Sequence, residues 1–243
     1  MGALYKNTHK HISYINDESC IVEIGSDRGE GSTLYFAKLA EKYNVEFHTV
    51  DMLSTAQKTI QHHLINWHVG IGSEWCQTVY PKINKRISIL YLDNFDYLWD
   101  CYYTSSAPDS VWNQEIYNDL RGASWPEEFT PYDQLPNWIQ QEVINNYDIS
   151  YDSMLRAMKE QYNEQGLELT NSNCQLEHFK QLYYLHSWLD ENCVVIFDET
   201  FKYNDCWIGK NGPGVLLLQT LGFRLVDESN SGIDRGIILK RGQ

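Results

Sequence analysis

No two cysteines in the 243-residue sequence stand in C-x-x-C spacing. Cys20, Cys76, Cys101, Cys174, Cys193 and Cys206 are scattered, and Cys20 and Cys193 begin predicted core strands. Free thiols in a reducing compartment are the expectation, rather than a disulfide framework. Basic residues are scarce. Nineteen Lys and Arg against 33 Asp and Glu give a net charge of −14. A nucleic-acid backbone as main partner needs a basic surface, so the charge argues against that class. No apolar run reaches membrane-spanning length, and Met1 to Lys10 lacks an apolar signal core. Internal repeats and low-complexity segments are also missing. The sequence therefore predicts a cytoplasmic protein with no membrane and no nucleic-acid partner. Hydrophobic content of 42% fits a globular chain. The length suits one domain with an elaboration, or two small ones.

What is present is concentrated near the start. Cys20 to Ile24 is an apolar strand that runs into Gly25-Ser26-Asp27-Arg28-Gly29-Glu30-Gly31, and Ser32 to Tyr43 has helical periodicity. A second strand, Val45 to Val50, ends on Asp51, eighteen residues after Thr33. Strand, glycine turn, helix, strand and acid form the layout of a nucleotide- or nucleoside-binding half of a doubly wound sheet. Further elements are a helix over 54–65, a third strand over 67–71, a helix over 73–80 and a fourth strand over 87–92, closing on Asp93. A short helix over 8–15 leads the chain.

The α/β rhythm stops near Asp100 and resumes with a helix over 175–191. Between them lies a segment rich in Tyr, Trp and Pro, read as an insertion folded on top of the sheet because a structureless loop of that length is improbable. The expected organisation is a cofactor-binding half over 1–99, the insertion over 100–175, and a C-terminal half over 176–243. Following the fourth strand puts the insertion on the ligand side, where it serves as a lid and specificity element. A homodimer interface is a second use for the same aromatics. The fifth strand, Cys193 to Phe197, ends on Asp198-Glu199. A helix over 212–221 and an antiparallel pair over 223–227 and 236–240 complete the chain.

Ligands of open parallel sheets bind beyond the carboxyl ends of the strands. Asp51, Asp93, Asp198 and Glu199 all stand at such ends. They suit a cation, a diol or a divalent metal, and repel a pyrophosphate. That disfavours a nicotinamide or flavin site. With Glu23-Ile24-Gly25-Ser26-Asp27-Arg28-Gly29-Glu30-Gly31-Ser32-Thr33, His48-Thr49-Val50-Asp51, Ile89-Leu90-Tyr91-Leu92-Asp93 and Val194-Val195-Ile196-Phe197-Asp198-Glu199, the sequence resembles the class I S-adenosylmethionine-dependent methyltransferases. The likeness is greatest to the catechol-type and macrocin-type small-molecule O-methyltransferases. It covers residues 18–99 and 176–240.

This resemblance implies a Rossmann-like α/β fold, with a mostly parallel seven-stranded sheet and an antiparallel C-terminal strand. It implies S-adenosylmethionine as methyl donor, contacted by Glu23, Gly25, Ser26, Gly29, Gly31, Asp51, Met52, Gly70, Ile71 and Asp93. Metal-dependent members of the family would hold a divalent ion on Asp93, Asp198 and Glu199, with magnesium suiting an all-oxygen set. Asp93, Asp96 and Asp198 are the candidate catalytic residues, and His186 is a weaker candidate base. The acceptor is a small molecule, methylated at a hydroxyl. Two departures stand out: the fifth-strand pair is Asp-Glu, and no lysine sits just after Asp93. Two further readings stay open, a donor-binding protein without transferase activity and a methyltransferase acting on protein.

Overall fold

The computed structural model describes residues 4–12, 14–26, 29, 31–94, 159–203, 206–231 and 234–242. The expected insertion lies outside the described residues over 95–158. A 3₁₀ turn, Leu4–Asn7, and helix α1, Thr8–His11, lead into strand β1, Ser19–Ile24. Then follow α2, Ser32–Tyr43, β2, Glu46–Asp51, α3, Thr55–Thr59, and β3, Ile65–Val69. Helices α4, Gly72–Thr78, and α5, Tyr80–Ile83, precede β4, Arg86–Leu92. After the undescribed stretch come α6, Asn171–Leu185, and β5, Leu189–Asp198. A hairpin of β6, Thr200–Tyr203, and β7, Cys206–Gly209, is followed by α7, Gly212–Thr220. Strands β8, Phe223–Ser231, and β9, Asp234–Arg241, complete the fold.

Seven strands form one sheet in the order β3-β2-β1-β4-β5-β9-β8. The pairs from β3 through β5 are parallel, whereas β9 runs antiparallel to both of its neighbours. This order with one reversed strand is that of the class I methyltransferase fold. Every residue of β1 is buried, as befits a central parallel strand covered on both faces. Alternation sends Cys20, Val22 and Ile24 to a core shared with α4, α6 and α7, through Trp75, Leu182 and Val215 among others. Ile21 faces the opposite core with Phe36 and Ala40 of α2 and Tyr5 of the leading turn. Phe36 is wholly buried, which contributes roughly 1.5–3 kcal/mol over an exposed ring.

Helix α2 spans the residues its periodicity predicts and stops at Asn44, whose left-handed backbone (φ 54°) lets its N–H reach the carbonyls of Ala40 and Glu41. Other boundaries shift. The helix expected over 54–65 has only the five residues of α3, because the chain must turn in time for Ile65 to pair with Phe47 in β3. Helix α6 begins at Asn171, inside the range expected for the insertion, where the Thr170 side chain caps the N–H of Asn173. It ends at Leu185, and β5 starts four residues earlier than expected, at Leu189. The leading helix stops at His11, short of the expected Ile15. The β6–β7 hairpin was not expected.

Among the described residues no helix is long and apolar enough to cross a membrane. Cys20, Cys76, Cys174 and Cys193 are free and buried.

Candidate functional site

The carboxyl ends of β1, β2, β4 and β5 meet at one end of the sheet. Gly25 leaves β1 at φ +99°, a conformation that favours glycine. Its N–H donates to the Val50 carbonyl at 2.8 Å, and the Asp93 N–H donates to the Ile24 carbonyl at 2.8 Å. A side chain at Gly25 would stand 2.4 Å from the Asn94 nitrogen and 2.6 Å from the Asp93 carbonyl oxygen. The first turn is therefore pressed against the end of β4.

Asp51 is bound to the same turn. Its Oδ2 accepts from the Ser26 N–H at 2.9 Å, and its Oδ1 accepts from the Leu53 N–H at 2.8 Å. The Gly70 N–H donates to the Asp51 carbonyl at 2.9 Å. Gly70 follows β3, and Ile71 caps α4. Gly29 donates to the Ser26 carbonyl, and Gly31 opens α2. Met52 follows Asp51 at the end of β2. The structure thus brings together Gly25, Ser26, Asp51, Gly70 and Asp93. Asp27, Arg28, Glu30 and Asp96 lie outside the described residues.

Glu23 lies on the α2 side of the sheet, between Thr33 of α2 and Thr49 of β2, and is fully buried. Its Oε2 accepts from Thr33 Oγ1 and Thr49 Oγ1, each at 2.7 Å, while Oε1 has no partner. Burial pushes its carboxyl up to about 7, against the opposing pull of these hydroxyls. A carboxyl whose folded value exceeds its unfolded value of 4.5 stabilises the fold fully below pH 4.5. That contribution is lost as the pH rises through 7. Wild-type protein should lose about 3 kcal/mol of stability over that window through this group, at ~1.4 kcal/mol per pH unit. Glu23→Gln should abolish this part of the slope. Denaturant melts of both proteins at pH 5 and pH 8 measure it, and equal slopes would disprove the assignment.

The acids at the ends of β4 and β5 are arranged around a lysine that sequence reasoning missed. Lys210 Nζ lies 2.9 Å from Asp93 Oδ1 and 2.9 Å from Glu199 Oε2. The residue is only 5% exposed. Tyr91 donates its hydroxyl to Asp93 Oδ2 at 2.9 Å. Burial raises the Asp93 carboxyl, but the Lys210 ammonium outweighs it, helped by hydrogen bonds from Asp198 and Tyr91, so the net shift is downward. Burial and the adjacent Asp93 charge push Asp198 well above the carboxylate range.

The β6–β7 hairpin positions this lysine. Glu199 turns the chain at φ +43°, and Gly209 returns it at φ +87°. The Lys210 N–H donates to the Glu199 carbonyl at 3.1 Å, and the Asn211 N–H donates to Thr200 Oγ1 at 3.2 Å. A side-chain carbon at Gly209 would fall 1.9 Å from the Glu199 carbonyl oxygen.

Two of the three acids expected to hold a metal, Asp93 and Glu199, each bind Lys210. Among the described residues no group of three or more His, Cys, Asp or Glu is arranged to hold a metal ion. His186 hydrogen-bonds the Tyr183 carbonyl through Nδ1 at 2.5 Å, at the end of α6. His178, which sequence reasoning left without a role, is fully buried in α6. Its Nδ1 lies 2.9 Å from the Cys174 carbonyl, an acceptor, so Nδ1 carries the hydrogen and Nε2 the lone pair. Nε2 has no partner. Burial, then the Lys210 charge, lower His178 to about 3.

No protein-family model and no curated protein matches the chain. Solved structures with a similar course include CalS11, a TDP-rhamnose 3'-O-methyltransferase of calicheamicin biosynthesis, at 11% identity and a TM-score of 0.45, covering 99% of this chain and 78% of that one. DesVI of Streptomyces venezuelae matches at 6% identity and a TM-score of 0.40, over 93% of this chain and 85% of that one. A type I restriction-modification methyltransferase subunit from Streptococcus thermophilus matches at 10% identity and a TM-score of 0.45, over 98% of this chain and 43% of that one. These scores are low, and the fold rests on the strand order and pairing described above.

Proposed function

We propose that the protein is a methyltransferase that moves the methyl group of S-adenosylmethionine to a hydroxyl of a small molecule. The observation that carries this reading is the bond between the Ser26 N–H, in the turn after β1, and the Asp51 carboxylate at the end of β2. It sets a backbone cradle beside an oriented acid at the ligand end of the sheet. A nucleoside's ribose diol fits the acid, and its sulfonium is drawn to an acid-lined crevice that would repel a pyrophosphate. Gly25, Gly29 and Gly31 would line the methionine part, with Gly70 and Ile71 beside the adenine.

Methyl transfer is an in-line displacement. The acceptor oxygen bonds to the methyl carbon as the carbon–sulfur bond breaks, the bonding pair stays on sulfur as a thioether, and the hydroxyl proton passes to a base. Alignment supplies much of the rate. Asp93 is the ionised carboxylate of the cluster and the candidate acceptor of that proton. The rival reading, a donor-binding protein without turnover, draws support from the way the acids at β4 and β5 already satisfy one another through Lys210.

Calorimetric titration with S-adenosylmethionine tests the first step. Wild type should bind saturably, and Asp51→Ala should weaken binding about 10- to 100-fold, as expected for lost hydrogen bonds to a charged group. No binding at millimolar donor, or unchanged affinity in the variant, would remove the basis of the proposal. Binding without transfer to any hydroxyl acceptor would favour the donor-binding protein.

A further inference from the structure

We propose that Lys210 is the resident cation of this centre, occupying the position that a divalent ion would need among Asp93, Asp198 and Glu199. The geometry is mutually exclusive. Asp93 Oδ1 and Glu199 Oε2 converge on one nitrogen, each at 2.9 Å. A magnesium or manganese ion bridging the same two oxygens at about 2.0–2.2 Å would have to sit where the ammonium is. An ion placed beside it would face a like charge in a buried setting, where such repulsion is poorly screened.

The lysine is built into its place. It is buried to within a few per cent, and its backbone is anchored through the Glu199 carbonyl by a turn that excludes a side chain at Gly209. The acid it binds, Glu199, belongs to the same turn, so one hairpin supplies both the cation and one of its carboxylates. The Tyr91 hydroxyl binds the other oxygen of Asp93 at 2.9 Å, which holds the carboxylate toward the ammonium. An oxygen atom of an acceptor reaching the ends of β4 and β5 would therefore meet a protein ammonium in place of a metal. This bears on the acceptor end of the proposed methyl transfer, but the cation assignment stands without it.

Manganese titration followed by electron paramagnetic resonance tests the assignment directly, with no need for turnover. Wild type and Lys210→Arg, which keeps the charge, should show no saturable manganese site below ~1 mM, the weak end of protein sites for divalent ions. Lys210→Met removes the charge and leaves the carboxylates. It should gain one site at least tenfold tighter, and adding Asp93→Asn should abolish that site. A stoichiometric site in wild type that Asp93→Asn removes would overturn the proposal, and so would equal titrations of wild type and a folded Lys210→Met. Should Lys210→Met fail to fold, the comparison of wild type with Asp93→Asn still decides. Donor binding by calorimetry is measured on the same samples, so failure here is separable from failure of the methyltransferase reading.

Discussion

Gly25→Ala is expected to cost roughly 3 kcal/mol or more of stability and to lower the melting temperature by about 10 °C. Two terms add. The residue holds φ +99°, where a side chain is strained, and the new carbon would stand 2.4 Å from the Asn94 backbone nitrogen. Backbone cannot move aside as the tip of a long side chain can. Relief would require the first turn to lift from the end of β4, taking the Ser26 N–H away from Asp51. Affinity for S-adenosylmethionine, the donor proposed above, should fall with stability. Calorimetric melts of wild type and variant measure the first effect, and a melting temperature within about 2 °C of wild type would show that the turn is not pressed down as described.

Gly209→Ala should act on the other half of the site by an even closer collision, 1.9 Å from the Glu199 carbonyl oxygen. The turn must open, and Lys210 must leave its carboxylates. Removing one partner from a buried ion pair typically costs about 3–5 kcal/mol, because the remaining charge stays buried and uncompensated. Lys210→Met should cost a similar amount by the direct route. Since both changes remove the same contact, the double variant should be more stable than the sum of the two losses predicts, by at least ~1 kcal/mol. Strict additivity in denaturant melts would separate the turn from the ion pair and refute the coupling.

The first strand–helix–strand unit was legible in the sequence because its determinants are local. The glycine turn, α2 and Asp51 lie within one strand–helix–strand unit, and buried parallel strands such as β1 and β4 announce themselves as continuous apolar runs. Strand edges were harder to read. Leu189 to Asn192 extends β5 through Asp190, Glu191 and Asn192, and polar residues at the end of a strand carry no apolar signal. The start of α6 was marked by Thr170, an ordinary capping residue, but the signal was outweighed by the weakly patterned Asn171-Ser172-Asn173 that follows.

The partner of the acids at the ends of β4 and β5 was harder to foresee. Asp93, Asp198 and Glu199 read as metal ligands through the family resemblance, and Lys210 is not adjacent to any of the three in sequence. The lysine that meets Asp93 is 117 residues away, and only the unexpected β6–β7 hairpin carries it there. The sole local cue was Gly209 directly before Lys210, a glycine that the hairpin requires. His178 was hidden similarly, since nothing in a helical sequence shows that one ring nitrogen of its histidine is buried without a partner.

The placement of β9 between β5 and β8 bears on how the chain assembles during synthesis on the ribosome. The outer rim of β5 has no hydrogen-bonding partner until residues 234–241 have emerged, so all the residues before them must be translated before the sheet closes. Until then a long apolar rim is open to neighbouring nascent chains, which makes the interval before β9 emerges a time of aggregation risk. Removing residues 234–243 would not trim a margin. It would withdraw an interior strand and detach β8 from the rest of the sheet.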